Sequence, residues 1–440
     1  LSPIPGARAF VTQTLLPRHS RLGRLLRRAR SSLRGRGPRG RPYSQAELLA
    51  RVEEFNRNAE TYWRDLASDP AARDVLLRKP FTTVQDASSI LYRTGLILSE
   101  LRLGIGHTVL DLGAGACWLS AFLNRLGCRT VSVDVSPSAL ELGRELFRLD
   151  PRQRLDLDPR FLVYDGRRLP LPDSSVDRVV CFDAFHHVPN EDEILGEIFR
   201  VLRPGGRAVF AEPGEGHSHS GQSRLEAERF HVLENELDLV ALRREAVRLG
   251  FTRFLVKPYP DPEAVTVTAE EHFRFMAGKD AAFPVDDLRR SLREFYVFAL
   301  VKGAEAFDSR SPHVLKASLR FATPLEALAA SPGSEHALTV RVKNVGDTTW
   351  LRDAHPAGGY VRLGAHLLDG AGEAVQWDFL RAELPGDVPP GGSATVEACF
   401  RAPLAAGPYR LRFDMVDEGV AWFEQGGSTT LELPLRVDAA

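Results

Sequence analysis

The sequence predicts an α/β protein, a seven-stranded βαβ sheet with helices on both faces, followed by a separate all-β sandwich. Three observations predict it. Apolar strand patterns alternate with helical ones from residue 108 onward, a glycine turn follows the first strand with acids closing the next two, and helical periodicity vanishes beyond Gly303. At 440 residues the chain also exceeds what one hydrophobic core organises, so several domains are expected.

The strands are expected at 108–112, 130–134, 160–164, 178–182, 207–211, 253–257 and 295–301. Ahead of them residues 44–103 read as helical, with Ser44 a cap before Gln45 to Asn56 and a longer apolar-periodic stretch from Ala87 to Leu101. One connecting helix can be specified further. Asn190 is its expected N-cap with Glu193 at N3, Ile194, Leu195, Ile198 and Leu202 form the buried face, and Pro204-Gly205-Gly206 ends it. Residues 43–303 make up this domain, and 304–314 read as a linker. Residues 315–438 carry short alternating runs, such as Leu338-Val340-Val342, Val361-Leu363, Val396-Ala398 and Leu411-Phe413, separated by Gly and Pro clusters.

Hydrophobic content of 43% and charged content of 26% are ordinary for a globular protein, and no run of about 18 apolar residues exists to span a bilayer as a helix. The net charge of −1 hides an asymmetry: residues 1–42 hold eleven arginines and no acid. Within this arm Leu22, Leu25, Leu26, Ala29 and Leu33 recur at helical spacing among the arginines, the pattern of a basic amphipathic helix. A partly disordered solvated arm, a helix lying on an anionic membrane and an arginine-rich presequence all share it. The solvated arm is the favoured reading, with peripheral contact to an anionic membrane as the alternative, and no nucleic-acid partner is expected. Four cysteines, Cys117, Cys128, Cys181 and Cys399, show no C-x-x-C spacing, so neither a zinc site nor a disulfide framework is expected, and a reducing cytoplasm fits best.

The chemistry is concentrated in Val109-Leu110-Asp111-Leu112-Gly113-Ala114-Gly115-Ala116-Cys117, a buried strand running into a glycine turn and then a helix. Glycines let the backbone turn tightly and approach a ligand at the carboxyl edge of the sheet. Asp134 ends the next strand, where an acid accepts ribose hydroxyls, and Asp165-Gly166 ends the third, where a carboxylate accepts an adenine amino group. A dinucleotide site wants a third glycine at 118, but Trp118 stands there; Asp111 would repel a pyrophosphate yet suits the amino group of a methionine moiety. The pattern favours a sulfonium nucleoside.

On these residues the chain resembles the class I methyltransferases, a Rossmann-like fold, and especially their small-molecule and quinone-modifying group. Asp111-x-Gly113-x-Gly115 matches motif I, Asp134 motif II, and Asp165-Gly166 with Leu169-Pro170-Leu171-Pro172-Asp173 motif III. Val176 to Val188 resembles motif IV, and Leu202 to Gly206 the loop before strand five. Cys117 departs from the pattern, because a third motif I glycine often stands there. The resemblance implies S-adenosyl-L-methionine as cofactor, held by Asp111, Gly113, Gly115, Asp134, Asp165, Gly166 and Asp183, with Tyr62 on the lead-in helix as its lid. It places the acceptor, a small molecule or glycan precursor, beyond strands four and five near Glu212, His217 and His219. His186 or His187 is the expected general base for an alcohol or phenol, the bland reading of His187 being a loop brace bonded to backbone. No metal is expected. A scaffold that binds cofactor without turnover is the alternative from another class.

The segment from Asn344 to Trp350, Pro390-Gly391 and Val420 to Phe423 resembles an immunoglobulin-like module attached to bacterial enzymes of polysaccharide assembly. Trp350, Tyr360, Trp377, Tyr409 and Trp422 are either a sugar-stacking platform or core. The module is expected to present substrate or dock partners.

Overall fold

The computed structural model describes residues 43–258, 266–279 and 285–439, so the basic arm lies outside the described residues. Residues 45–440 form one unit holding both the sheet and the sandwich.

The first part carries helices α1 (Gln45–Ala50), α2 (Val52–Ser68), α3 (Pro70–Arg78), α4 (Val84–Leu101), α5 (Trp118–Arg125), α6 (Pro137–Leu149), α7 (Glu191–Val201), α8 (Gly221–Phe230), α9 (Leu239–Leu249), α10 (Ala269–Met276) and α11 (Val285–Glu294). Its strands are β1 (Thr108–Leu112), β2 (Arg129–Asp134), β3 (Arg160–Val163), β4 (Val176–Phe182), β5 (Leu202–Pro213), β6 (Phe251–Lys257) and β7 (Phe295–Lys302), in the order β3-β2-β1-β4-β5-β7-β6. All seven expected strands form. The first five run parallel, and β7 is antiparallel to both β5 and β6.

Strand periodicity explains the two-sided core. Val109 faces Ile97 and Leu101 of α4 and Leu119 of α5, whereas Leu110 and Leu112 face the opposite layer with Ile194 and Ile198 of α7 and Leu242 of α9. The order reverses between β1 and β4, opening a crevice at their carboxyl ends where such sheets bind ligands.

Local departures have local causes. The helix expected over Gln45 to Asn56 is two helices, because Arg51 leaves helical backbone (φ −116°, ψ 14°). The helix expected from Ala87 starts earlier, at Val84, since Thr83 Oγ1 caps it by accepting from Asp86 N at 3.1 Å. Asn190 is the N-cap of α7 by position only: its amide donates to Gly166 O and Glu193 Oε2, so the expected capping box is replaced by a tether to motif III. Pro204-Gly205-Gly206 falls inside β5, with α7 ending at Val201.

The C-terminal part contains β8 (Phe307–Asp308), β9 (Ala317–Phe321), β10 (Leu328–Ala330), β11 (Glu335–Asn344), β12 (Thr348–Thr349), β13 (Val361–Asp369), β14 (Ala374–Glu383), β15 (Ser393–Arg401), β16 (Gly407–Asp417), β17 (Ala421–Trp422) and β18 (Leu431–Val437). One sheet runs β10-β18-β16-β13-β14 with β17 on β16, the other β15-β11-β9. Val340, Val342 and Val396 from the second share one core with Leu363, Leu411, Phe413 and Leu433 from the first, so this is a β-sandwich. Of the five aromatics, Trp350 and Trp422 are buried whereas Trp377 is 46% exposed. Trp350 is core against Phe423, and Trp377 and Trp422 clasp the buried His366 with their planes 73° apart.

The segment read as a linker is instead a pinned connector. β8 pairs with β12, Ile105 N donates to Arg310 O at 2.7 Å, and the Arg310 guanidinium grips Asp177 with contacts of 2.9 and 3.0 Å. Gly104 has no room for a Cβ because the Arg310 carbonyl lies against it, and His355 of the sandwich fills the space beside Gly106. These contacts fall at the amino ends of β1 and β4, so the sandwich docks at the edge opposite the crevice rather than beside it.

Candidate active site

The turn after β1 needs its glycines for two reasons. Gly113 and Gly115 have φ of +68° and +51°, the region glycine adopts without strain. Both are also approached closely: a Cβ on Gly113 would strike Ala184 from the loop after β4, and one on Gly115 would stand 2.7 Å from the Trp63 ring of α2. Cys117 holds a left-handed φ of +58°, which explains why glycine suits that position; its Sγ rests against Gly143 of α6 instead.

Asp111 is buried, and its Oδ2 accepts from Ser120 N at 3.1 Å and Ser120 Oγ at 2.7 Å, so it also caps the first turn of α5. Burial pushes its carboxyl up to about 6. Asp134 accepts from Gly115 N at 2.8 Å and Ser136 N at 2.9 Å, tying the ends of β1 and β2 together; burial raises its carboxyl as well. Asp165 stays exposed and acidic, lowered by the Arg168 and Arg167 amides that bond its Oδ1 at 2.8 Å. The backbone carbonyls of Asp165 and Gly166 are tethered by Asn56 and Asn190.

A cavity of about 80 Å³ lies over the glycine turn, lined by Trp63, Lys79, Asp111, Gly113, Gly115, Trp118 and Asp183 among others. Ligand pockets run to about 300–1,000 Å³, so α2 narrows this one through Trp63. Tyr62, the residue expected there, has its hydroxyl 3.4 Å from Glu226 and its ring edge-on to Phe230 of α8, and it is the neighbouring Trp63 ring that stands over Gly115.

Two further residues, Lys79 in the cavity wall and Arg93 bonded to Asp183, belong to the site. The Lys79 ammonium enters over the rings of Trp118 and Phe182; desolvation lowers it despite the pull of Asp183. Arg93 donates to Asp183 at 2.5 Å and, against desolvation, holds that carboxylate low. A signal for Arg93 existed: it shares the apolar stripe of α4 with Ile90, Ile97 and Leu101. Lys79 had none beyond being one of six lysines.

Beyond β4 and β5 the expected acceptor residues separate. Glu212 is fully buried and does not face an acceptor; it accepts from Phe185 N at 2.9 Å, Ala184 N at 3.2 Å and His186 Nδ1 at 2.7 Å, clamping the loop that seats Gly113. Burial raises its carboxyl to about 7. His186 is buried behind it and held well below its ordinary value by desolvation, hence neutral. His187 keeps 35% exposure, and its Nδ1 donates to Leu233 O at 2.6 Å, a contact that braces the loop and also leaves Nε2 as the lone-pair nitrogen, so it fits both readings of this residue. His217 meets His186 edge-on and lies 2.9 Å from Glu234, whereas His219 is exposed and outside the group. Glu234 sits in an unpatterned loop, and nothing in the sequence singled it out.

Comparison with known proteins agrees with this geometry. A family model described as a methyltransferase domain matches residues 110–210. The methyltransferase GfsG of Streptomyces halstedii is 32% identical over 178 residues, covering 39% of this chain and 55% of that protein. The mitochondrial ubiquinone biosynthesis O-methyltransferase of Schizosaccharomyces pombe is 29% identical, covering 36% and 53%. The ubiquinone/menaquinone biosynthesis C-methyltransferase UbiE of Escherichia coli is 28% identical, covering 38% and 65%. The chain thus spans between 53% and 65% of the length of these relatives. Motifs I to III thus stand at the carboxyl ends of β1, β2 and β3, an antiparallel β7 lies between β5 and β6, and residues 110–210 within this sheet are similar to a methyltransferase domain, with a β-sandwich following.

Proposed function

We propose that the protein transfers a methyl group from S-adenosylmethionine to an oxygen of a small molecule or glycan precursor admitted beyond β4 and β5. The observation that carries this reading is the crevice itself, with Asp111, Asp134 and Asp165 on three successive strand ends around a glycine turn. The residues fit the cofactor: Asp111 for its amino group, Lys79 for its carboxylate, Asp134 for ribose, Asp165 for adenine, and Trp63 as the cover. Bound there, it would supply an electrophilic methyl carbon on a sulfonium, with a neutral thioether as the leaving group. The protein contributes mainly position, holding the reacting atoms in line and away from water. His187 supplies the base, its Nε2 taking the acceptor's proton, and Leu233 O fixes the tautomer. We further place the protein in the cytoplasm, with the arginine-rich arm touching anionic membrane.

The test is labelled methyl transfer into lipid, quinone and nucleotide-sugar pools by wild type and His187→Ala. A loss of about 10²-fold or more in kcat with unchanged S-adenosylhomocysteine affinity supports the base assignment. Full activity of the variant removes His187 from that role. Cofactor binding with no acceptor methylated in any pool favours the non-catalytic scaffold. O- and C-methyltransferases both occur among the relatives, so positional analysis of the product decides the acceptor atom.

A further inference from the structure

The loops after β4 and β5 assemble a second constellation that methyl transfer by position and His187 does not use. Ligand atoms of His186, His217 and Glu234 all lie within 4.8 Å of one another, although the three residues come from three separate loops.

Two features distinguish this group from an ordinary ion pair. The Glu234 side chain is only 5% exposed, yet neither carboxylate oxygen makes an aligned hydrogen bond: Oε2 stands 2.9 Å from His217 Nε2, and Oε1 3.6 Å from His187 Nδ1. A buried carboxylate so placed is costly unless something completes it. His186, for its part, carries the support that metal-ligating histidines carry. Its Nδ1–H is given to the buried Glu212 carboxylate at 2.7 Å, which fixes the ring and leaves Nε2 as the lone-pair nitrogen. The competing contact is Ser223 Oγ, 3.2 Å from His217 Nε2, a single hydrogen bond that a ligand at that nitrogen displaces.

We propose that His186, His217 and Glu234 bind a divalent first-row transition-metal cation. Two imidazoles and one carboxylate suit zinc, iron, cobalt or nickel rather than magnesium or calcium, which take oxygen ligands. Three protein ligands leave coordination positions open, and the partly exposed His217 and His187 mark the open side. The site deepens the proposed function and rests on it for its role: it selects acceptors that offer chelating oxygens, such as catechols or α-hydroxy acids, at the end of β4 where Asp183 and Ala184 border the cofactor turn.

The full chain, stripped with chelator and dialysed, is titrated with Co²⁺ by visible absorption and with Zn²⁺ by calorimetry, and each sample is also titrated with S-adenosylhomocysteine. One equivalent of Co²⁺ should bind the wild type. His217→Ala and Glu234→Gln should each weaken it by about 10²-fold or more, Glu212→Gln by about 10–100-fold, and His219→Ala not at all. S-adenosylhomocysteine binding retained by Glu234→Gln shows that the variant is folded. A wild type that binds S-adenosylhomocysteine but no Co²⁺, or His217→Ala and Glu234→Gln proteins that bind Co²⁺ like wild type, overturn the metal site alone. A wild type that takes Co²⁺ but no S-adenosylhomocysteine overturns the methyltransferase reading instead.

Discussion

Replacing Arg310 by alanine should uncouple the sandwich from the sheet. The guanidinium is 19% exposed and bonds both oxygens of Asp177, itself 5% exposed, while also reaching Asp308 at 2.7 Å. Burial alone would push the Asp177 carboxyl up, but Arg310, then His107 and Arg203, hold it at about 2. Removing one partner of a buried pair costs about 3–5 kcal/mol when the remaining charge is left alone. Asp177 keeps Arg203 at 2.7 Å and Thr108 N at 2.8 Å, so the loss should be smaller, about 2–3 kcal/mol. At about 2–4 °C per kcal/mol that is a fall of about 4–12 °C in Tm. Scanning calorimetry should resolve separate transitions for the two domains in the variant, and Arg310→Lys, which keeps charge but not the bidentate grip, should fall between. The pH dependence has a defined sign. Asp177 titrates below its ordinary 3.8 in the folded state, so its contribution is present above about pH 4 and is lost as pH falls through about 2. An unchanged Tm with one transition would refute the docking role of Arg310.

Four further outcomes are expected. Gly115→Ala adds a Cβ at positive φ against Trp63, so S-adenosylhomocysteine affinity measured by calorimetry should drop by at least about 10-fold; unchanged affinity would mean the lid is not seated on the turn. Asp417 is buried beside Asp308 and Glu418, and burial first raises its carboxyl to about 8; its stabilising protonation is fully present below the ordinary 3.8 and is lost as pH rises through about 8. Asp417→Asn should therefore raise Tm more at about pH 9 than at about pH 5, and an equal gain at both would contradict that sign. Residues 315–438 expressed alone should give a β-rich circular dichroism spectrum, because their core closes without the sheet domain, whereas a disordered spectrum would deny independence. Deleting residues 1–42 should abolish salt-sensitive sedimentation with anionic vesicles, and equal sedimentation of both forms would end the membrane role.

Much of this molecule was legible because burial leaves a periodic trace. The strands of the sheet announce themselves as apolar runs, and Asp111, Asp134 and Asp165 stand at strand ends where no core residue would be charged. What strand-end position does not encode is which way an acid faces. Glu212 closes β5 as Asp134 closes β2, but it turns inward to hold the amides of 184 and 185. Helical register defeats single-residue precision similarly: Tyr62 and Trp63 are neighbours, about 100° apart around α2, and only packing chooses which meets Gly115. Arg310 was hidden by the polar texture of its segment, which reads as a linker unless one knows that Asp177 awaits it. Glu234 was invisible because loops converge through tertiary structure alone.

Titration calorimetry of the purified chain with S-adenosylhomocysteine, run in parallel with NAD, tests the methyltransferase assignment most directly. One site with a Kd on the order of micromolar is expected for the nucleoside and no heat for NAD, with Asp134→Ala weakening the former through loss of a charged hydrogen-bond acceptor. Absence of heat with S-adenosylhomocysteine together with measurable NAD binding would contradict it.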